Sequence, residues 1–321
     1  MSTSAHTSTP GPVRPSHLRG LTEVAAASVL WGTGGLAVQL IREQAPLSAV
    51  TISAWRMVLA ALALLVVLVA LRRFGDLVTL ARARPRQLLA VGIGTAAYQG
   101  FYFVSVTQVG VAVATVVSLG LAPVLLTLTE AVRRRRTPAP SRLTVLGAAL
   151  AGLVLVSLAG SEASTGPAPV AGVLLAVASG TTYALTTVAG GSVSREAHPV
   201  VLTAGMTVVG ALVLVPAAAL VDGPHITADP AALAWLVYLG ALTMALAYVL
   251  LYSGLRVTEP STAVTASLVE PVTAAVVAAL VLEEPLGPAA VVGILLVLGA
   301  VAGLGRPSTA AGPVVPDPEL G

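Results

Sequence analysis

Hydrophobic residues in this chain gather into ten long runs separated by short polar segments. The runs cover approximately 21–41, 48–71, 87–107, 110–130, 143–160, 168–190, 198–220, 231–254, 261–281 and 287–304. Each is close to the roughly 20 residues that an α-helix needs to cross the hydrocarbon core of a bilayer. Lipid offers the backbone no hydrogen bonds, so apolar runs of this length must satisfy their own polar groups as helices. The pattern therefore predicts an all-α membrane protein of ten transmembrane helices. The third and fourth runs meet at a turn around Gly110, and the fourth and fifth are joined by a segment containing Arg133 to Arg136 and Arg142. Residues 1–19 are polar and rich in Ser, Thr and Pro, and 306–321 are rich in Pro and Gly. Both are expected to be disordered tails. The first apolar run exceeds the roughly 7–15 residues of a signal-peptide core, so it is read as an uncleaved helix.

The runs also repeat. Leu121-Ala122-Pro123 in the fourth has its counterpart in Val269-Glu270-Pro271 of the ninth, and Trp31-Gly32 in the first matches Ser179-Gly180 in the sixth, both at an offset of 148 residues. Each proline is followed by a charged turn and then a Gly-containing apolar run with Gly147 or Gly293. This divides the chain into two five-helix repeats, 20–160 and 161–305. A unit with an odd number of crossings places its tandem copy upside down, so the expected architecture is an inverted repeat. Two such halves can rock about a shared midplane and expose it to one side at a time.

Composition narrows the chemistry. Of 321 residues, 56% are hydrophobic and 10% are charged, with a mean hydropathy of +0.93. Soluble domains carry about 25% charged residues, so this chain has too little polar surface to cover a soluble fold. There is no cysteine and no lysine. Disulfides, thiolate metal sites and Cys nucleophiles are excluded, as are the Walker A loop and Ser–Lys dyads. The four histidines, at 6, 17, 198 and 225, fall in the tail and loops, and there is no HExxH motif. No catalytic set, metal site or cofactor site is expected, and the chain is read as a non-enzyme. Gly32-x-Gly34-x-x-Ala37 mimics a dinucleotide fingerprint but has no preceding strand.

The pI of 9.7 does not point to nucleic acid, because the arginines cluster between apolar runs. With the N-terminus in the cytoplasm, fifteen of the seventeen arginines fall inside. These include Arg14, Arg19, Arg72, Arg73, Arg82, Arg84, Arg86, Arg195, Arg256 and Arg306. Glu162, Asp222, Asp229, Glu283 and Glu284 fall in outer loops. By the positive-inside rule both termini are cytoplasmic; the all-Arg usage fits a GC-rich bacterial genome, and the expected location is a bacterial cytoplasmic (inner) membrane.

Together, Trp31-Gly32, Arg56 within SAWRMVLAALAL, Pro123, and the stretch SLVEPVTAAVVAALVLEEPLGPAAVVGILLVLGAVAG with Glu270-Pro271 and Glu284 resemble the EamA branch of the drug/metabolite transporter superfamily. The resemblance covers 21–304. It implies a ten-helix inverted-repeat transporter, usually an exporter of amino acids or other small metabolites, with a pocket between the halves. The first repeat departs from the pattern, having arginines where the second has the Glu-Pro-Leu turn.

Charges within bilayer helices cost roughly 2.5–3.5 kcal/mol on insertion scales and mark sites by default. Arg56 and Glu270 lie about nine and ten residues into their runs, near the midplane at roughly 1.5 Å per residue. Three roles are open to Glu270. It can carry a coupling proton, since burial penalises the charged carboxylate; it can meet a substrate amine; or it can be a structural partner of Arg56 or of backbone freed by Pro271. Arg56 can bind a substrate carboxylate or form a fixed ion pair. Tyr98, Gln99 and Tyr102, Tyr183, Tyr248 and Tyr252 lie at similar depth, and each pair one turn apart can line a face. The alternative is helix–helix contact. Trp31 precedes a Gly-rich stretch, so Gly32 and Gly34 are hinge candidates, with Pro123 and Pro271. The functional expectation is a secondary-active transporter. Its partners are a small-molecule substrate and the lipid bilayer, with a proton or counter-substrate for coupling and a homodimer as one open assembly. A passive channel or facilitator is the alternative, disfavoured by the absence of a continuous polar stripe.

Overall fold

The computed structural model describes residues 15–159, 168–221, 226–281 and 286–305. Among these there is helix and turn but no strand. In chain order the helices are α1 (His17–Gln44), α2 (Ala49–Ala70), α3 (Phe74–Ala83), α4 (Pro85–Val109), α5 (Val111–Arg134), α6 (Pro140–Leu158), α7 (Pro169–Ser194), α8 (Pro199–Val221), α9 (Pro230–Gly254), α10 (Pro260–Val281) and α11 (Pro288–Leu304). Eight of them, α4, α6 to α11 and also α1, which is helical from Pro15, begin on a proline, whose fixed φ and missing N–H suit the first helical position. Among the described residues nine helices are long and apolar enough to cross a membrane; α11, with 17 residues, is apolar but shorter.

The structure departs from the expected layout in two places. The segment between the second and third apolar runs, read as a connection, contains the extra helix α3. It is amphipathic: Leu80 is buried, and Leu77 packs on the core beside Gly205. The chain is also helical from Pro15, inside the segment expected to be a tail. Arg14, Arg306, Glu162, Asp222, Glu283, Glu284, His6 and His225 lie outside the described residues, as do 1–14 and the tail 306–321.

The halves pack in reciprocal pairs. The α4–α7 contact becomes α9–α1 when the halves are exchanged, α5–α7 becomes α10–α1, and α4–α8 becomes α9–α2. The α2–α8 and α6–α11 contacts map onto themselves. Glycines show the equivalence at atomic scale. A Cβ at Gly92 would meet Val209 at 2.5 Å and the Met206 carbonyl at 3.0 Å; one at Gly240 would meet Leu59 at 2.6 Å and the Arg56 carbonyl at 3.2 Å. Both crossings use a carbonyl and the side chain one turn later. At α6–α11, Gly152 and Gly293 lie against each other's carbonyls, whereas Gly147 faces open space. The packing glycine of the first repeat is thus Gly152, and not Gly147 as expected. Small residues allow such close approach, which is how helices associate when lipid removes the hydrophobic drive. Large apolar side chains such as Leu220, Val170 and Val66 cover the outside, at 89%, 74% and 69% exposure. Only a lipid solvent tolerates that much exposed apolar surface.

Candidate functional site

Three helices are irregular, and one of them, α1, packs on both of the others. Helix α1 is interrupted at Thr33, between Pro15–Gly32 and Gly34–Gln44. Helix α9 contains a π-helical stretch, Leu239–Leu246. Helix α10 is interrupted at Ser267-Leu268, between Pro260–Ala266 and Val269–Val281. The last break has a covalent cause. Pro271 has no N–H to give the Ser267 carbonyl, and that carbonyl instead accepts the Glu270 N–H at 3.0 Å. Gly32 lets α1 close on this point, since a Cβ there would sit 2.5 Å from the Glu270 carbonyl. Thr33 Oγ1 donates to the Leu30 carbonyl at 2.7 Å, so in its 2.6 Å bond with Tyr238 the tyrosine is the donor. Helix α5, by contrast, runs through Pro123 without interruption, and Gly34 opens the second piece of α1 with only Leu239 in contact range.

Between these breaks lies a layer of aromatic rings from both halves. Trp31 meets Tyr248 edge-on at 5.2 Å; Tyr248 packs on Tyr252 at 5.9 Å; Tyr98 packs on Tyr183 at 5.4 Å. The Tyr98 and Tyr248 hydroxyls share a hydrogen bond of 3.0 Å. Tyr183 donates to Ser267 Oγ at 3.3 Å and Tyr252 to Met206 Sδ at 3.2 Å. Trp31, Tyr183, Tyr248 and Tyr252 are buried, and Tyr98 is half-buried. The sequence reading leaves cavity lining and helix–helix contact both open for the tyrosines; the structure packs these rings on each other as a layer. Tyr102 stands apart, paired with Thr115 at 2.8 Å. Gln99 is buried and gives its amide N–H to the Thr95 carbonyl at 3.2 Å.

Arg56 and Glu270 flank this layer. Arg56 Nη2 donates to the Thr243 carbonyl, inside the π-helical stretch, at 3.2 Å. A π-helix leaves carbonyls poorly paired, which explains why a guanidinium can settle there. Glu270 is partly exposed and forms no side-chain hydrogen bond or ion pair among the described residues. Arg56 is the charge it senses, yet the two stay beyond ion-pair distance. The fixed Arg56–Glu270 pair, one structural role left open for both residues, is therefore not formed. Four polar side-chain atoms are buried without a partner among the described residues: Trp31 Nε1, Arg56 Nε and Gln99 Oε1 on site residues, and Thr258 Oγ1 away from them. Such atoms are uncommon in folded proteins and mark places where a ligand or water completes the bonding. Two surface recesses lie elsewhere. One of about 420 Å³ is lined by Gly35, Val38, Gln39, Arg42 and Glu43. An apolar one of about 330 Å³ lies between α5 and α6.

Sequence reasoning missed Thr33, Tyr238, Thr243, Ser267 and Met206 as supporting residues. For Thr33 and Ser267 a signal existed, a hydroxyl residue beside a helix-breaking Gly or shortly before Pro; the others carry none. Among the described residues no group of His, Asp and Glu is suited to a metal.

Known proteins supply the wider setting. The model of the "EamA-like transporter family" matches residues 18–158 and again 170–306. A Bacillus subtilis (strain 168) protein, "Uncharacterized transporter YwfM", is 32% identical over 276 residues, spanning 86% of this chain and 90% of the relative. One solved crystal structure superimposes with a TM-score of 0.74 at 20% identity, covering 91% of this chain and 98% of the other. That last likeness is one of fold alone.

Proposed function

The chain belongs to the EamA-like transporter family, within the drug/metabolite transporter superfamily, and from that premise we propose that it is a secondary-active exporter of amino acids or related small metabolites, not an enzyme. It is a multi-pass membrane transporter built from two repeats. In the proposed arrangement ten helices cross a bacterial inner membrane, the halves are inverted, both termini are cytoplasmic, and access alternates about the aromatic layer.

The observation that carries this reading is the node itself. Arg56 comes from the first half and Glu270 from the second, and the partly exposed carboxylate is left without a bonded partner. A small zwitterion offers the missing complement: a carboxylate for the Arg56 guanidinium and an ammonium for Glu270. Trp31 Nε1 and Gln99 Oε1 would supply neutral hydrogen bonds. The aromatic layer forms the floor beneath the substrate. Glu270 is also the candidate for proton coupling, as an ionisable side chain within an apolar helix; counter-substrate exchange is the other route.

Purified protein in liposomes, screened by thermal shift against amino acids and nucleobases and then by uptake of each hit, tests the proposal. Saturable uptake with counterflow is expected. Uptake that rises linearly with concentration and shows no counterflow would identify a passive facilitator instead.

A further inference from the structure

One end of the bundle carries the arginine-rich connections, and there the two halves are tied by charge. Glu130, near the end of α5, accepts from Arg142 Nη2 at 2.7 Å and from Ser261 Oγ at 2.8 Å; the Ser261 N–H approaches its other oxygen at 3.4 Å. Arg142 also reaches Ser261 Oγ and lies 3.5 Å from Glu259. Arg134 pairs with Glu259. Glu130, Arg134 and Arg142 belong to the first repeat, whereas Glu259 and Ser261 open α10 in the second. The core of this clasp is sheltered, with the Glu130 and Arg142 side chains 18% and 30% exposed. A second inter-half pair, Arg84–Glu196, lies at the same end.

The repeat allows a direct comparison with the opposite end. Seven residues after its proline, α5 has Glu130 where α10 has Ala278. Two residues after its first proline, α6 has Arg142 where α11 has Ala290. At the same offset of 148, Glu259 at the start of α10 corresponds to Val111 of α5, and Ser261 to Val113. Glu130, Arg142, Glu259 and Ser261 thus have uncharged counterparts, and the position equivalent to Arg134 lies outside the described residues. Burial follows the same division. On α10, residues 263–269 on the clasp side are all buried, whereas 273–279 beyond the break are half-buried or exposed.

We propose that Glu130, Arg142, Ser261, Glu259 and Arg134 form an electrostatic latch that closes the arginine-rich end and biases the transporter toward the state open at the opposite end. The proposal rests on the alternating-access reading above. At the other end the described positions equivalent to the clasp carry no charge, so contact between them rests on short-range dispersion. Closure here adds charge-assisted hydrogen bonds across the halves. Opening the latched end requires these bonds to break, so the latch sets the resting population. In the proposed topology this end is cytoplasmic, and the latch holds the protein outward-open until substrate or lipid supplies the difference.

The natural chain has no cysteine, so single reporters can be placed directly. Val264→Cys reports on the buried contact of α10 with Ala122, Leu126 and Tyr183, and Ala278→Cys reports on the opposite end. Maleimide labelling rates are measured in nanodiscs, where both faces are accessible. Glu130→Gln and Arg142→Gln are each expected to raise labelling at 264 by roughly fivefold or more and to lower it at 278. Arg136→Gln, which removes an exposed arginine of the same connection, leaves both rates unchanged. Ser261→Ala, and the wild-type latch at about 1 M NaCl, where the Debye length falls to about 3 Å, move the rates the same way without risk to folding. Unchanged labelling at 264 under all of these overturns the latch. A rise at 264 without a fall at 278 leaves the latch standing as a seal and instead defeats alternating access.

Discussion

At equivalent crossings the first repeat lays Arg56 of α2 against Gly240, and the second lays Met206 of α8 against Gly92. The backbone contacts are the same, a carbonyl followed one turn later by an apolar side chain, but the chemistry is not. Arg56 reaches into the π-helical stretch of α9, while Met206 receives the Tyr252 hydroxyl. On the partner helices the difference is reversed: Glu270 precedes the proline of α10, and the buried Ala122 precedes that of α5. Packing geometry was kept between the repeats while the charged groups were distributed one to each. A site at the junction can then bind two ends of a substrate with charges from opposite halves.

The comparison can be broken most severely by making the first repeat like the second. Arg56→Met is expected to lower substrate uptake in liposomes by roughly tenfold to a hundredfold, the range for losing a hydrogen bond to a charged group, while leaving the melting temperature nearly unchanged. Arg56→Lys should restore little, since an ammonium cannot reproduce the guanidinium fork. Next in size is Glu270→Gln. If Glu270 carries the coupling proton, uptake falls about tenfold and what remains loses its dependence on pH. Unchanged rate and unchanged pH dependence would remove Glu270 from the coupling.

The shared geometry is sharpened by paired glycine substitutions. Gly92→Ala and Gly240→Ala place a Cβ into equivalent close contacts. Each should lower stability by about 1–3 kcal/mol, read as matching falls in the thermal midpoint. A large fall for only one would show that the crossings are not equivalent. Tyr98→Phe removes the hydroxyl bond that links the halves through Tyr248 and should cost about 1 kcal/mol, with uptake reduced a few-fold.

The smallest effect concerns the starts of α2 and α8. Ser48 Oγ accepts the Thr51 N–H at 3.1 Å, and at the start of α8 His198 Nδ1 accepts the Val200 N–H at 3.3 Å. Partial burial, and then Arg73 and Arg256, hold the His198 pKa below the ordinary histidine value. The neutral ring is therefore the form that the fold favours. Its contribution is present above the unfolded value of about 6.5 and is lost as pH falls through that region, where the unfolded chain binds the proton more readily. His198→Ser should flatten the thermal midpoint between pH 7.5 and 5.5 by about 1 °C.

Much of this was legible in the residues. The apolar runs locate the nine helices long enough to cross a membrane, and the shorter α11, within a few positions, because apolar length marks the segments suited to lipid. The proline of Glu270-Pro271 announces the break in α10, because a missing N–H acts on its own carbonyl partner four residues back. Pro123 has the same local chemistry, yet α5 runs on through it, so the tertiary surroundings decide whether a proline interrupts a helix. Helix α3 escaped notice because its two core contacts, Leu77 and Leu80, are set among arginines that read as a connection.

The sequence by itself determined the class of protein, the helix order, the duplication and the two charges set within apolar runs, Arg56 and Glu270. All of these follow from local composition and spacing. The tertiary structure decided what those charges and rings do. The tyrosines, for which the sequence leaves cavity lining and helix–helix contact both open, pack as a layer because rings from α1, α4, α7 and α9 meet there. Arg56 turns to a carbonyl of α9 and not to Glu270, because the π-helical stretch offers an acceptor within reach. Glu130, Arg142 and Glu259 become a latch because reciprocal packing brings the end of α5 to the start of α10, more than a hundred residues away along the chain. Contacts of that separation depend on how the halves dock, and no local pattern encodes the docking.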